Sequence, residues 1–239
     1  MGVYGGPANA WSNFTNQNRL DASTKVVVQS GLVLNLDAGV SSSYPGSGTT
    51  WTDLSGNGNT GTLTNGPTYS SSNGGSIVFD GSNDEVICTN NASVQITVGT
   101  ISAWFNANNG NTGVNGIIAK QNAWGLFVWD NTLRAYDWGN TVARNTGITV
   151  GNSTWNYAAM TFTETVGTPS NNAIIYLNGS AVLTTTVKHS DHDVTVQIGE
   201  ANAAQHFGGF IANASVYNRV LTAEEIQQNF NALRSRFGI

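Results

Sequence analysis

Hydrolysis of a glycosidic bond needs two carboxyl groups facing one another, about 5 Å apart for retention and about 6.5–9.5 Å for inversion. One β-strand can supply such a pair when acidic residues alternate, because every second side chain shares a face. None of the five glutamates opens such a run. Glu85 is followed two places on by Ile87, Glu164 by Val166 and Glu200 by Asn202, while Glu224 and Glu225 stand at the start of a predicted helix. Asp191-His192-Asp193 has the spacing but reads as a solvated hairpin loop. His189, His192 and His206 occur without a G-x-S-x-G turn, so no nucleophile–base pair is expected. The glycine-rich stretch 110–116 lacks the lysine and following helix of a phosphate cradle. Cys88, the single cysteine, lies in the apolar run Val86-Ile87-Cys88 and reads as a small buried side chain. No catalytic residue is expected, and the chain reads as a non-enzyme.

Binding chemistry is better supplied. Sugars stack their apolar ring faces on aromatic side chains and offer hydroxyls to amides and carboxylates. Between Asn122 and Asn140 stand Trp124, Phe127, Trp129, Tyr136 and Trp138, interleaved with Asp130, Arg134 and Asp137. If 125–129 and 132–137 pair as a hairpin, Phe127 and Trp129 share one face while Trp124, Leu126 and Val128 share the other. One set must enter the interior, since burying ~200 Å² of indole contributes ~5 kcal/mol at ~25 cal/mol/Å². The glycan-contact candidates are Trp124, Trp129, Tyr136, Trp138, Asn122 and Asp130. No metal site and no cofactor are expected. Calcium takes about six to eight oxygens, and the carboxylates leave room only for a weak calcium site using Asp80 or Asp84.

The elements that would position these residues follow from periodicity. From residue 32 onward apolar side chains alternate with polar ones, as in 32–37, 101–105 and 194–198, the mark of half-buried strands with polar outer faces. Asn178-Gly179 after an apolar run predicts a type I′ hairpin turn, which needs positive φ. More than ten short strands divided by such turns predict an all-β, two-sheet antiparallel jelly-roll β-sandwich. One short C-terminal helix is predicted: Thr222 and Glu225 form a capping box, and Ile226, Phe230, Leu233 and Phe237 make one apolar stripe. Residues 1–30 show no period and read as an arm separate from the 31–239 domain, with Trp11 and Phe14 as anchors against a neighbouring subunit.

Composition narrows the partners. Only 10% of the 239 residues are charged and the net charge is −5, against about 25% charged residues in ordinary domains. Three lysines and six arginines give no basic patch for nucleic acid. No apolar stretch approaches the ~20 residues of a membrane span. Met1–Pro7 has neither the basic nor the apolar region of a signal peptide.

The order of motifs resembles the laminin-G-like branch of the concanavalin A-like lectin/glucanase superfamily. The resemblance is carried by GLVLNLDA (31–38), WTDLSGNGN (51–59), SIVFDGSNDEV (76–86), TISAWF (100–105), IIYLNG (174–179) and FIANASVYNRVLTAEEI (210–226). It implies two curved antiparallel sheets and one short helix. The calcium pattern of the pentraxin relatives is mostly missing: the matching stretch 198–203 carries only Glu200 as an acid, and Lys120 stands near the other ligand loop. Within the branch, the N-terminal wording is similar to structural proteins of tailed phages, although residues 8–29 are an addition to it. That likeness implies a virion location, as a capsid decoration or head fibre that binds glycans weakly. The partners it implies are other virion proteins, held through the N-terminal arm, and host or environmental glycans, with the chain homo-oligomeric or lattice-bound. The alternatives are a tail-fibre lectin recognising host glycans and, least supported by the residues, a glycan-active enzyme.

Overall fold

The computed structural model describes residues 26–109, 112–163, 170–188, 193–201 and 205–239. In chain order the strands are β1 (Leu32–Asp37), β2 (Thr50–Trp51), β3 (Gly61–Thr64), β4 (Thr68–Ser70), β5 (Ser76–Asp80), β6 (Glu85–Cys88), β7 (Gly99–Ala107) and β8 (Val114–Lys120). They continue as β9 (Trp124–Trp129), β10 (Thr132–Asp137), β11 (Val142–Thr149), β12 (Trp155–Phe162), β13 (Ala173–Leu177), β14 (Ser180–Thr185), β15 (Val196–Ile198) and β16 (Gly208–Tyr217), before the helix α1 (Ala223–Phe237).

These strands form two eight-stranded sheets. The first runs β14-β13-β12-β7-β16-β5-β4, with β1 paired to β16, and the second runs β11-β10-β9-β8-β15-β6-β3-β2. The ladders are antiparallel, as the two-sheet sandwich requires. Between the sheets lies one apolar core to which Leu34, Leu36, Phe79, Ile101, Phe105, Trp124, Leu126, Met160, Phe162 and Ile198 contribute. Cys88 is buried there, and burial pushes its thiol pKa well above the ordinary value. Asn178 and Gly179 both have positive φ, 49° and 83°, and join β13 to β14 through the predicted two-residue turn.

The helix begins where the capping box places it. Thr222 Oγ1 accepts from the N–H of Glu225 at 3.3 Å, and Glu225 Oε2 accepts from the N–H of Thr222 at 2.9 Å. Arg219 grips the same carboxylate with two bonds, 2.7 and 2.8 Å. At the other end Arg236 crosses to Asp37 at 2.6 Å and to the carbonyl of Asn73 at 2.8 Å. These contacts hold the helix flat on the outer face of the first sheet. Its stripe buries Trp104: the rings of Phe230 and Phe237 stack on that indole at centroid distances of 5.6 and 4.4 Å.

Two expectations are corrected here. The central strands of the first sheet are not half-buried, because the helix covers their outer side chains; β7 is buried at eight of its nine positions. Nor are the outer faces uniformly polar, since each carries an aromatic cluster. The segment 26–30, counted by sequence with the arm, packs on the helix: Val28 donates its N–H to Asn229 Oδ1 at 2.7 Å, and Gln228 donates to the Val26 carbonyl at 2.8 Å. Trp11 and Phe14 lie outside the described residues. Among the described residues no helix is long and apolar enough to cross a membrane.

Candidate functional site

The β9–β10 hairpin turns through Asp130 and Asn131, both with positive φ (49° and 62°), the geometry of a type I′ turn. The ladder sets Trp129 opposite Thr132, Val128 opposite Leu133 and Phe127 opposite Arg134. This register decides which aromatics serve the core. Trp124, Leu126 and Val128 point between the sheets, and Trp124 is fully buried with its ring 6.3 Å from Phe162. Trp124 is therefore withdrawn as a glycan contact: alternation places it on the inward side of β9, where no ligand reaches it.

The opposite set builds a cleft of about 300 Å³ on the outer face of the second sheet, at the small end of ligand sites. Phe127, only 2% exposed, forms its floor, and the half-buried Trp129, Tyr136 and Trp138 stand around it. Trp129 and Tyr136 are near-parallel at 6.4 Å, Tyr136 and Trp138 meet edge-on at 5.1 Å, and Phe127 lies 5.9 Å from Trp138. Asn122, Gln121, Thr141 and Gln205 supply polar groups to its lining. The side chains of Trp129, Tyr136, Trp138, Thr141 and Gln205 make no hydrogen bond to any described residue.

Two glycines make room for this arrangement. A Cβ on Gly125 would sit 2.9 Å from the Phe127 ring, so a side chain there would displace the floor. A Cβ on Gly116 would come within 2.4 Å of the Glu200 backbone. Its absence lets the chain after β15 approach, and the N–H of Gly116 donates to the Gln205 carbonyl at 2.9 Å.

The turn carrying Trp138 and Thr141 is fixed by Asp137, whose buried carboxylate collects four donors. The N–H groups of Asn140 and Lys188 reach Oδ1, both at 3.1 Å, and Asn140 Nδ2 and Arg144 Nη2 reach Oδ2 at 2.9 and 2.5 Å. Burial works to raise the pKa of Asp137, and the bonds from Asn140, Arg144 and Lys188 together outweigh it, leaving the pKa below the ordinary value. Backbone strain gathers at the same lip. Asn122 and the β-branched Thr141 are both left-handed, with φ 63° and 54°, a conformation that costs such residues on the order of 1–3 kcal/mol.

Of the six sequence candidates, Asn122, Trp129, Tyr136 and Trp138 line the cleft. Asp130 does not. It stands at the hairpin turn, where Oδ1 accepts from the N–H of Gly113 at 3.0 Å and Oδ2 lies 3.7 Å from Arg134; its short side chain serves the turn. Sequence reading left out Val114, Gln121, Phe127, Thr141 and Gln205. Phe127 was available from its shared face with Trp129, whereas Gln205 arrives from a distant loop that no local pattern connects to the hairpin.

An acidic pair also emerges that no spacing revealed. Gln197 Nε2 donates to Glu85 Oε2 at 3.2 Å and to Glu200 Oε2 at 2.9 Å. The amide stands between the two carboxylates, and Glu200 is only 3% exposed, so the trio clamps β6 to the end of β15. The weak calcium site has no support from its side chains. Asp80 Oδ1 accepts from the N–H of Ser82 at 2.7 Å, and Asp84 Oδ2 accepts from the N–H of Asp80 at 3.0 Å; these carboxylates serve the β5–β6 turn. Among the described residues no three acidic, histidine or cysteine side chains are grouped to hold a metal. Asp191 and His192 lie outside the described residues.

Two packed antiparallel sheets followed by one C-terminal helix are the architecture of a concanavalin A-like jelly roll. The chain belongs to the concanavalin A-like lectin/glucanases superfamily, whose laminin-G family model matches residues 79–227. No curated protein sequence matches it. Among solved structures, the binding domain of Paraclostridial Mosquitocidal Protein 1 superposes with a TM-score of 0.66 at 18% identity, over 84% of this chain and 52% of that one. The binding domain of Botulinum Neurotoxin DC in complex with SialylT gives 0.64 at 18%, over 86% and 52%. Domain 4 of AbnA, an extracellular arabinanase from Geobacillus stearothermophilus, in complex with arabinotriose, gives 0.62 at 15%, over 83% and 97%. The chain thus spans about half the length of the two toxin domains and nearly all of the arabinanase domain. At these identities the likeness is one of fold.

Proposed function

We propose that this domain is a non-catalytic saccharide-binding module whose site is the cleft on the outer face of the second sheet. The observation that carries the reading is the convergence of Trp129, Tyr136 and Trp138 over Phe127, with the Thr141 hydroxyl and the Gln205 amide, which bond to no described residue, at the rim. Ring faces would stack on the aromatics, and sugar hydroxyls would pair with Thr141 and Gln205. The arabinotriose complex of the arabinanase domain, a similar fold, supports the reading. Hydrolysis is disfavoured by the Glu85–Gln197–Glu200 clamp, because the amide occupies the space that a glycosidic oxygen would need.

The phage-like N-terminal wording extends this proposal. In this reading the domain decorates a virion surface, as a capsid decoration or head fibre. Residues 1–25 dock onto other virion proteins through Trp11 and Phe14, and many copies turn weak glycan contacts into avidity. A tail-fibre lectin is the second reading, favoured by the same cleft if one glycan is bound tightly. Trp138→Ala should abolish binding on a glycan array while leaving the unfolding midpoint nearly unchanged. Retained binding in that variant would remove the cleft as the site. Full incorporation of a chain lacking residues 1–25 into particles would remove the docking role of the arm.

A further inference from the structure

We infer that the cleft selects uncharged saccharides and rejects sialylated, sulfated or uronic-acid counterparts; this rests on the saccharide reading above. Holding an anionic sugar calls for a cation presented to its carboxylate or sulfate, with guanidinium the best match. Among the described residues, none that lines the cleft is charged.

The nearest arginine along the sheet is already committed. Arg134 stands opposite Phe127 on β10, but its guanidinium carbon lies 5.0 Å from the centroid of the Trp129 ring. Its Nε donates to Thr132 Oγ1 at 2.9 Å, and Nη2 faces Asp130 at 3.7 Å. The cation therefore stiffens Trp129 rather than greeting a ligand, and Asp130 offsets its charge. The flank toward β15 is acidic: Gln197 lies opposite Ala119 on the next strand and ties Glu85 to Glu200 beside the cleft wall. An anionic sugar would lose hydration in an aromatic cleft whose described lining offers no opposite charge, with carboxylates nearby. A neutral sugar meets only stacking faces, amides and hydroxyls.

The test is an array carrying neutral oligosaccharides beside their sialylated, sulfated and uronic-acid counterparts, probed with the full chain at low and high salt. Neutral members should bind at least ten-fold more tightly than their acidic counterparts, with the gap narrowing as salt rises. Gln205→Arg and Gln121→Lys each place a cation in the lining and should narrow or reverse that gap, two sites guarding against one variant failing to fold. Equal or tighter binding of acidic members by the unaltered chain would overturn the inference while leaving the saccharide reading intact. A gap that neither folded cationic variant moves would also overturn it. Binding of no member, neutral or acidic, would bring down both.

Discussion

The two outer faces of the sandwich are built from the same kind of residue and end in opposite states. On the first sheet, Trp104, Tyr157 and Tyr217 project outward and are sealed by the helix, so that Trp104 is completely buried beneath Phe230 and Phe237. On the second sheet, Trp129, Tyr136 and Trp138 project outward and stay half-buried, with no helix of the described residues packed over them. Outward aromatics on a strand thus acquire their role from what covers them. One face became a second core layer and the other a candidate binding surface.

Tryptophan substitutions test that contrast most severely. Trp104→Ala should destabilise the domain by about 3–5 kcal/mol, the range for removing a buried aromatic, measured by denaturant unfolding. Trp129→Ala should cost under about 1 kcal/mol, since its ring is partly exposed and leaves no enclosed cavity. Equal losses at the two sites would break the comparison and make the cleft an extension of the core.

A smaller effect is expected at the turn that shapes the open face. Asp137→Ala removes four bonds from a buried carboxylate and should cost about 1.5–3 kcal/mol, with Trp138 emission shifting because its turn loosens. Since the folded pKa of Asp137 lies below the ordinary 3.8, its contribution is complete above that value and is lost as pH falls through the lower folded one. The emission change should therefore appear in wild type only under acid conditions, below pH 3.8, and should be absent from the variant.

A modest effect is expected at the helix start on the covered face. Thr222→Ala deletes one half of the capping box and should lower stability by about 1 kcal/mol without affecting saccharide binding, because the helix lies on the opposite sheet. A loss of binding in that variant would show that the two faces are coupled.

Much of this organisation was legible in local patterns. Alternation marked the strands, Asn178-Gly179 marked a turn, and Thr222 with Glu225 marked the start of the helix, because each depends on neighbours within a few residues. The hairpin reading also divided Trp124 from Trp129 into opposite faces. It could not say which face was inward, and Trp124 remained a candidate until the register placed it against Phe162. Gln205 and the Glu85–Gln197–Glu200 clamp stayed hidden for a different reason. Gln205 meets the β8 backbone at Gly116, and Gln197 meets Glu85 across 112 residues of chain, so neither contact leaves a local pattern.

The sequence by itself determined the class of elements, their order and the period that makes two sheets close over one interior, since these follow from side-chain alternation and local turn and cap chemistry. Only the tertiary structure decided which outward aromatics are buried and which stay open. That outcome depends on where one helix lies down, and a helix is steered there by long-range contacts such as Arg236 to Asp37 that no local pattern encodes.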